Sequence, residues 1–455
     1  MSSSFFNSLK KHIHTDMSSV TVLPRVKRNA RPSGFAAYAK AISKYNIDTS
    51  VLVAHNGKVY KRRTAVNVVS LRKHHGRHHH HAHPGDSDTV DEVPAKDIQG
   101  DTEYDVPVTI GTPGVTLNLD FDTGSSDLWV WSSELTVSKS SHTIYNPKNS
   151  STAKEVKGAT WNIGYGDGSG ASGNVFTDGE HIVLRISSLS DVFDAWLVRI
   201  GSITIPNQGI ELAEKLSDSF LRRGGPDGLL GLAWPSLNTV KPQPVATPVE
   251  NIISQGIAPG VFRYCLPPFH LIWRLKNAFN SVCLRKDADG FYTFGGIDAA
   301  RAGVDESQIQ YADIDNSQGF WMVNSESIII NGETVSQPGN AAILDTGTTL
   351  CLLADEVVQQ IYQQIDGAKF DNEQGGYIYP TGSKVPQIEL FIGDIKITLN
   401  AEDFDFEVSS GLTFGGIQSR GNNPFDIMGD VVLKSIYPIF DQDNVRVGIA
   451  QRTTN

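Results

Sequence analysis

Apolar and polar positions alternate in short runs along most of the chain, bounded by Gly, Pro, Asn or Asp. Tyr104–Ile110, 115–121, Ser327–Ile330 and 388–399 are examples. A period of two over four to eight residues predicts half-buried strands, and their number predicts an all-β protein. One clear helical period occurs at 355–365, where Val357, Val358, Ile361, Tyr362 and Ile365 share a face. No run of 18 apolar residues is present, so no spanning helix is predicted. A length of 455 residues suits two domains of ordinary size plus an extension.

Two strand-like runs end in the same pattern. Leu119-Asp120-Phe121 leads into Asp122-Thr123-Gly124-Ser125, and Ala342-Ile343-Leu344 leads into Asp345-Thr346-Gly347-Thr348. A carboxylate at the end of a buried strand is costly unless something satisfies it. The neighbouring hydroxyls, Ser125 and Thr348, are placed to donate to it, and Gly124 and Gly347 allow another backbone to approach. Two such aspartates brought face to face share one proton, because adjacent like charges do not both ionise. An acid and a base then occupy one site.

Each copy has a second element downstream. Asp227-Gly228-Leu229-Leu230-Gly231 follows the first and Phe425-Asp426-Ile427-Met428-Gly429 the second. Each is an apolar pair ending in glycine, suited to a strand crossing close behind the aspartate loop. The chain therefore reads as two related halves. Between β-patterned segments, Trp161-Asn162-Ile163-Gly164-Tyr165-Gly166-Asp167-Gly168-Ser169 has the glycines of a hairpin tip able to act as a lid.

With these motifs, the chain resembles the pepsin-like aspartic endopeptidases of the fungal secreted type over about residues 97–450. The resemblance implies a bilobal fold of two antiparallel β-barrel-like lobes with a central cleft, preceded by a prosegment. It implies Asp122 and Asp345 as catalytic aspartates, with Thr123, Gly124, Ser125, Thr346, Gly347 and Thr348 as their support. Tyr165, Gly166 and Asp167 correspond to the substrate-covering flap, and Trp129, in Asp127-Leu128-Trp129-Val130, to the partner of the flap tyrosine. In fungal relatives an aspartate at the position of Asp167 accompanies cleavage after lysine. The implied activity is hydrolysis of peptide bonds in proteins at acidic pH by a water activated between two aspartates. No metal or organic cofactor is implied. The alternative is a catalytically inactive pepsin-like binding protein.

Charge divides the chain sharply. Residues 1–85 carry a formal +13, and the remainder a formal −24. An acidic body offers this basic arm an intramolecular partner, in preference to a nucleic acid or a membrane. The arm reads as an inhibitory prosegment lying in the cleft. In the family a prosegment lysine pairs with the catalytic aspartates, and Lys58, Lys61, Arg62 and Arg63 are the candidates. A monomer acting on protein or peptide substrates is expected.

The histidines of 74–83 lack accompanying Cys, Asp or Glu at ligand spacing, so no metal is assigned. Cys265, Cys283 and Cys351 do not form a closed disulfide framework, and Cys351 reads as a buried core thiol. The first 30 residues hold no apolar core of a secretory signal, yet a prosegment suits an exported zymogen. The expectation is a secreted or vacuolar enzyme, with a start that omits a signal in the first case. The expected division is 1–90 as prosegment and His-rich linker, 91–284 as the first lobe and 285–455 as the second. Two stretches, 179–199 and 263–281, interrupt otherwise familiar sequence with little strand alternation. They read as non-coding sequence carried into the chain, ahead of surface insertions that bind something.

Overall fold

A computed structural model describes residues 20–25, 34–47, 51–53, 59–61, 93–97, 104–137, 142–164, 170–178, 198–201, 203–217, 220–221, 225–255, 279–286, 290–408 and 411–452. Most of the stretches 179–199 and 263–281, the histidines of 74–83 and Cys265 lie outside these residues.

A sheet of sixteen strands runs through both halves of the molecule. Its first-half portion contains β1 (Tyr104–Ile110), β2 (Val115–Asp122), β3 (Leu128–Trp131), β4 (Ala153–Gly164), β5 (Gly170–Asp178), β6 (Gln208–Leu216) and β7 (Gly228–Gly231). Its far end carries strands of the second half, including Ile436–Asp441 and Arg446–Gln451. Val20–Arg25 lies between the two portions, antiparallel to Phe291–Phe294 and parallel to Val93–Asp97. The N-terminal extension is therefore part of the sheet that joins the halves. The expected barrel-like lobes take the form of packed sheets; no sheet closes on itself among the described residues.

The two halves repeat one local arrangement. In the first, β2 pairs parallel with β7, β7 pairs antiparallel with β3, and β3 pairs parallel with β6. In the second, β8 (Ala341–Leu344) pairs parallel with β11 (Asp426–Met428), β11 antiparallel with β9 (Cys351–Leu353), and β9 parallel with β10 (Ile417–Ser419). The aspartate-bearing strands β2 and β8 thus have parallel neighbours within lobes that are otherwise largely antiparallel. Parallel neighbours are commonly buried on both faces, which explains why 342–344 reads as a continuous apolar run.

The predicted strands Tyr104–Ile110 and Ser327–Ile330 form. The 388–399 run is instead a hairpin of Ile388–Ile392 and Ile395–Thr398, because Gly393 takes a positive φ of 58° and turns the chain. The expected helix forms as α2 (Asp355–Tyr362), and its Val357, Val358, Ile361 and Tyr362 are buried. Cys283 and Cys351 are free and buried, and burial raises both thiol pKa values. No described helix is long and apolar enough to cross a membrane.

The extension also supplies α1 (Gly34–Lys44), which packs on the second half. Ala37, Tyr38, Ala41 and Ile47 are buried. The Tyr38 hydroxyl donates to the Ser419 carbonyl at 2.8 Å, and its ring lies 6.3 Å from that of Phe414. Gly34 faces Phe414 so closely that an added β-carbon falls 2.4 Å from the ring. This apolar seat fixes where the end of α1 points.

Candidate active site

β2 and β8 deliver Asp122 and Asp345 to facing loops at the centre of the molecule, both almost wholly buried. Each carboxylate is held from within its own loop. The Gly124 amide donates to Asp122 Oδ1 at 2.8 Å and the Ser125 hydroxyl to Oδ2 at 2.6 Å. The Gly347 amide donates to Asp345 Oδ1 at 3.0 Å, and the Thr348 hydroxyl donates to Oδ2. The two glycines set the approach: a β-carbon on Gly124 falls 2.5 Å from Asp345 Oδ1, and one on Gly347 falls 2.4 Å from Asp122 Oδ1. Even alanine at either position drives a methyl group into the opposite carboxylate.

Thr123 and Thr346 link the loops beneath the carboxylates. The Thr123 hydroxyl donates to the Leu344 carbonyl at 2.9 Å, and the Thr346 hydroxyl donates to the Phe121 carbonyl at 2.7 Å. Behind each loop the downstream glycine lets another strand cross. An added β-carbon at Gly231 falls 2.4 Å from Ser126 Cα, and one at Gly429 falls 2.1 Å from the Thr348 carbonyl oxygen. The close crossing read from the two apolar pairs is therefore present in both halves.

The ammonium of Lys44 sits between the aspartates. Its Nζ donates to Asp122 Oδ1 at 2.7 Å and to both oxygens of Asp345 at 2.9 Å. The Tyr45 hydroxyl donates to Asp345 Oδ2 at 2.5 Å, and its ring stands within 6.4 Å of Phe320 and Phe425. One turn earlier on α1, Lys40 pairs with Asp120 Oδ2 at 3.2 Å. Lys44 corrects the earlier choice among Lys58, Lys61, Arg62 and Arg63. Lys58, Arg62 and Arg63 lie outside the described residues, and Lys61 is described only as backbone in a short strand. The available signal was the helical spacing of Ala37, Tyr38 and Ala41 together with Lys40 and Lys44. It seats one face of α1 and extends the last lysine into the cleft.

The electrostatics follow the geometry. Burial is the largest influence on Asp122 and raises its pKa to about 6; Lys44 opposes this and Asp345 adds to it. Burial also pushes Asp345 upward, but Lys44, Asp122, Thr348 and Tyr45 together bring its pKa below the ordinary carboxylate value. Desolvation lowers the pKa of Lys44, yet the two aspartates more than compensate, so its charge is retained. The carboxylates are driven apart in acidity, which is the requirement for one to act as acid and the other as base.

The flap is described up to its base. β4 and β5 pair antiparallel to Gly164 opposite Gly170, while Tyr165, Gly166 and Asp167 lie outside the described residues. Trp129 is buried, stacked on Trp161 at 6.2 Å and edge-on to Phe220 at 5.3 Å. Its indole N–H has no acceptor among the described residues. No cluster of three or more metal-ligating side chains occurs among them either.

Residues 103–452 match the family model described as eukaryotic aspartyl protease. The chain is 39% identical to aspergillopepsin-1 of Aspergillus pseudoglaucus, over 79% of this chain and 81% of that protein. It is 40% identical to penicillopepsin-1 of Penicillium janthinellum, over 77% of this chain and 95% of that protein. Among solved structures it is similar to an aspartic proteinase from Irpex lacteus, with a TM-score of 0.57 and 24% identity. That match covers 77% of this chain and 94% of the other, and supports the fold.

Proposed function

The chain belongs to the eukaryotic aspartyl proteases, and from that premise we propose that Asp122 and Asp345 are its catalytic pair, held closed by Lys44 of its own N-terminal segment. It is an aspartic endopeptidase acting on protein or peptide substrates, so the inactive-binder alternative is set aside. The observation that carries the site assignment is the convergence of two buried carboxylates from equivalent loops on one ammonium. That ammonium occupies the place a nucleophilic water needs.

With the lysine withdrawn, the pair keeps one proton. The ionised carboxylate takes a proton from water as it attacks the peptide carbonyl, and the protonated partner donates to the carbonyl oxygen. The tetrahedral intermediate collapses when a proton reaches the departing nitrogen. Ser125, Thr348 and the amides of Gly124 and Gly347 keep the carboxylates aligned throughout. The pair shares the titration, so the roles belong to the pair in its working state. The resemblance assigns Tyr165 and Asp167 to a lid, and the buried indole N–H of Trp129, without an acceptor among the described residues, supports a pairing with the Tyr165 hydroxyl.

Residues 1–90 act in this reading as a prosegment, with 91–284 and 285–455 forming the two lobes of a monomer. The Lys44 contact and the seating of α1 support that role. Such latency suits a secreted or vacuolar zymogen that works in acid. Digestion of denatured haemoglobin at about pH 4, where a shared proton is available, tests the site. Wild type digests after acid incubation; Asp122→Asn and Asp345→Asn, purified folded, do not. Activity persisting in either variant overturns the assignment.

A further inference from the structure

A second pair of acids is buried behind the first aspartate loop. Asp127 follows that loop directly and Glu211 lies on β6, with side chains almost wholly removed from solvent. Asn238 binds them together: its Nδ2 donates to Glu211 Oε1 at 2.9 Å, lies 3.4 Å from Asp127 Oδ1, and reaches the Ser126 carbonyl at 3.1 Å. The Thr239 amide and hydroxyl both donate to Asp127 Oδ1 at 2.9 Å. Glu211 Oε2, by contrast, is buried with no hydrogen-bond partner among the described residues. If both acids were ionised, that oxygen would be an unsatisfied charge beside another charge, which no folded protein sustains cheaply. A proton on Glu211 turns the orphan acceptor into a donor towards Asp127.

We infer that Glu211 is a positioning residue for the first aspartate loop and sets the upper pH limit of the folded enzyme by holding a proton shared with Asp127. The pair joins the start of β3, β6 and the 238–240 loop behind the segment that carries Asp122, and β7 with the residues after it binds that same segment. The Gly231 amide donates to the Asp127 carbonyl at 2.9 Å, Ala233 to Ser125 at 2.9 Å and Leu232 to Asp122 at 2.7 Å. Trp129 pairs in register with Glu211.

Burial and the neighbouring Asp127 charge push Glu211 well above the ordinary range, and burial raises Asp127 as well. The groups facing the pair are Asn238, Thr239 and the Leu128 amide, none of them charged. Glu214, Lys215 and Lys241, on the same elements, are exposed to solvent. Asp178 and Asp227, from adjoining strands, are engaged with Tyr145 and with the Asn118 and Thr143 amides. The direction follows. An acid raised in the folded state supports folding fully below its unfolded value and loses that support as the pH climbs towards the folded value. Each pH unit in that window costs up to about tenfold in the folding equilibrium.

The test compares the full-length chain, before and after acid incubation, as wild type, Glu211→Gln, Asp127→Asn and the double variant. The side-chain amide introduced by either substitution supplies permanently the hydrogen that the proton supplies in the wild type. Tryptophan emission and residual activity, the latter assayed at pH 4 after incubation at pH 5 to 8, are both followed. Each single variant should match wild type within about twofold at pH 4 and lose structure at least tenfold more slowly at pH 7. The double variant should gain nothing further. Identical neutral-pH curves for wild type and both singles would overturn the inference. So would failure of both singles to fold at pH 4, where the proton is already present. The emission readout does not depend on which residues are catalytic, so it separates this inference from the assignment of Asp122 and Asp345.

Discussion

Thr123 and Thr346 hold each other across the two halves: the Thr123 amide donates to the Thr346 hydroxyl at 3.0 Å, and the Thr346 amide donates to the Thr123 hydroxyl at 2.9 Å. Each hydroxyl then passes its own hydrogen to a carbonyl of the opposite strand, so four buried backbone groups are satisfied by two side chains. Valine has nearly the same shape and lacks the hydroxyl. Thr123→Val or Thr346→Val should each cost about 1–3 kcal/mol for the groups left unpaired. Because both mutations break one network, the double variant should cost less than the sum of the singles. Thermal unfolding of the four proteins checks this, and strictly additive losses would contradict it. Activity should fall further than stability, since the network sets the spacing of the aspartates.

Gly231 and Gly429 permit the close strand crossing behind the two loops. A β-carbon at either meets backbone atoms, which do not rotate away as a side chain does. Gly231→Ala and Gly429→Ala should therefore each destabilise by at least about 3 kcal/mol, as strong overpacking does. Gly332 has nothing within 4 Å of its added β-carbon but has φ of 86°, so Gly332→Ala is strained without being crowded. Gly332→Ala should cost about 1 kcal/mol. Melting temperatures of the three variants separate steric crossing from backbone conformation. Equal losses in all three would remove the crossing argument.

The architecture was legible where function and burial leave local traces. The repeated Asp-Thr-Gly runs, their hydroxyl neighbours and the downstream apolar pairs all sit where their spacing placed them, because each contact is made within a loop or by a repeated strand. The helix at 355–365 was legible for the same reason: one apolar face buries it. Contacts that depend on distant packing left weaker traces. Lys44 reaches the aspartates because Gly34, Tyr38 and Ala41 seat α1 on the second half, and the helical spacing of Ala37, Tyr38 and Ala41 with Lys40 and Lys44 is the faint trace of that seat. Glu211 was silent, since a glutamate in a strand looks solvent-facing until β3 and the 238–240 loop enclose it. The 388–399 hairpin was read as one strand because Gly393 alone marks the turn.

Asp167, which the family resemblance assigns to the flap, carries a prediction about specificity. A carboxylate on a lid closing over the cleft offers a counter-charge to a basic side chain on the acyl side of the cleaved bond. Partly desolvated charge pairing of this kind is worth about 1–3 kcal/mol. Asp167→Ala should therefore lower kcat/KM for peptides with lysine before the cleaved bond by about 10- to 100-fold. Peptides with phenylalanine there should be cleaved within about twofold of wild type. Matched peptides differing at that one residue supply the measurement. Equal effects on both series would mean that Asp167 serves flap closure and not recognition.

If the Lys44 contact is what keeps the chain latent, as proposed, that latency depends on pH in a definite direction. Asp345 is held below the ordinary carboxylate value, so its contribution to the closed form is present above that value and lost as pH falls through the lowered one. Asp122 is raised to about 6 in the closed form, so its protonation favours that form and opposes opening as the pH falls from there towards the ordinary carboxylate value. Lys44 has a raised pKa and stays charged throughout, so acid acts on the carboxylates. The full-length chain should therefore stay closed near pH 7 and at pH 6, and open progressively below the ordinary carboxylate value of 3.8, where Asp345 loses its contribution. Lys44→Met keeps the length of the side chain and removes its charge. It breaks a buried ion pair worth about 3 kcal/mol, which corresponds to roughly a hundredfold loss of latency. The variant should bind a fluorescent active-site inhibitor at pH 6, where the wild-type chain does not. Lys40→Met, removing the half-exposed pair with Asp120, should change latency by less than about fivefold. Should Lys44→Met remain as closed as wild type at pH 6, the apolar seat of α1, and not the ammonium, is what keeps the cleft shut.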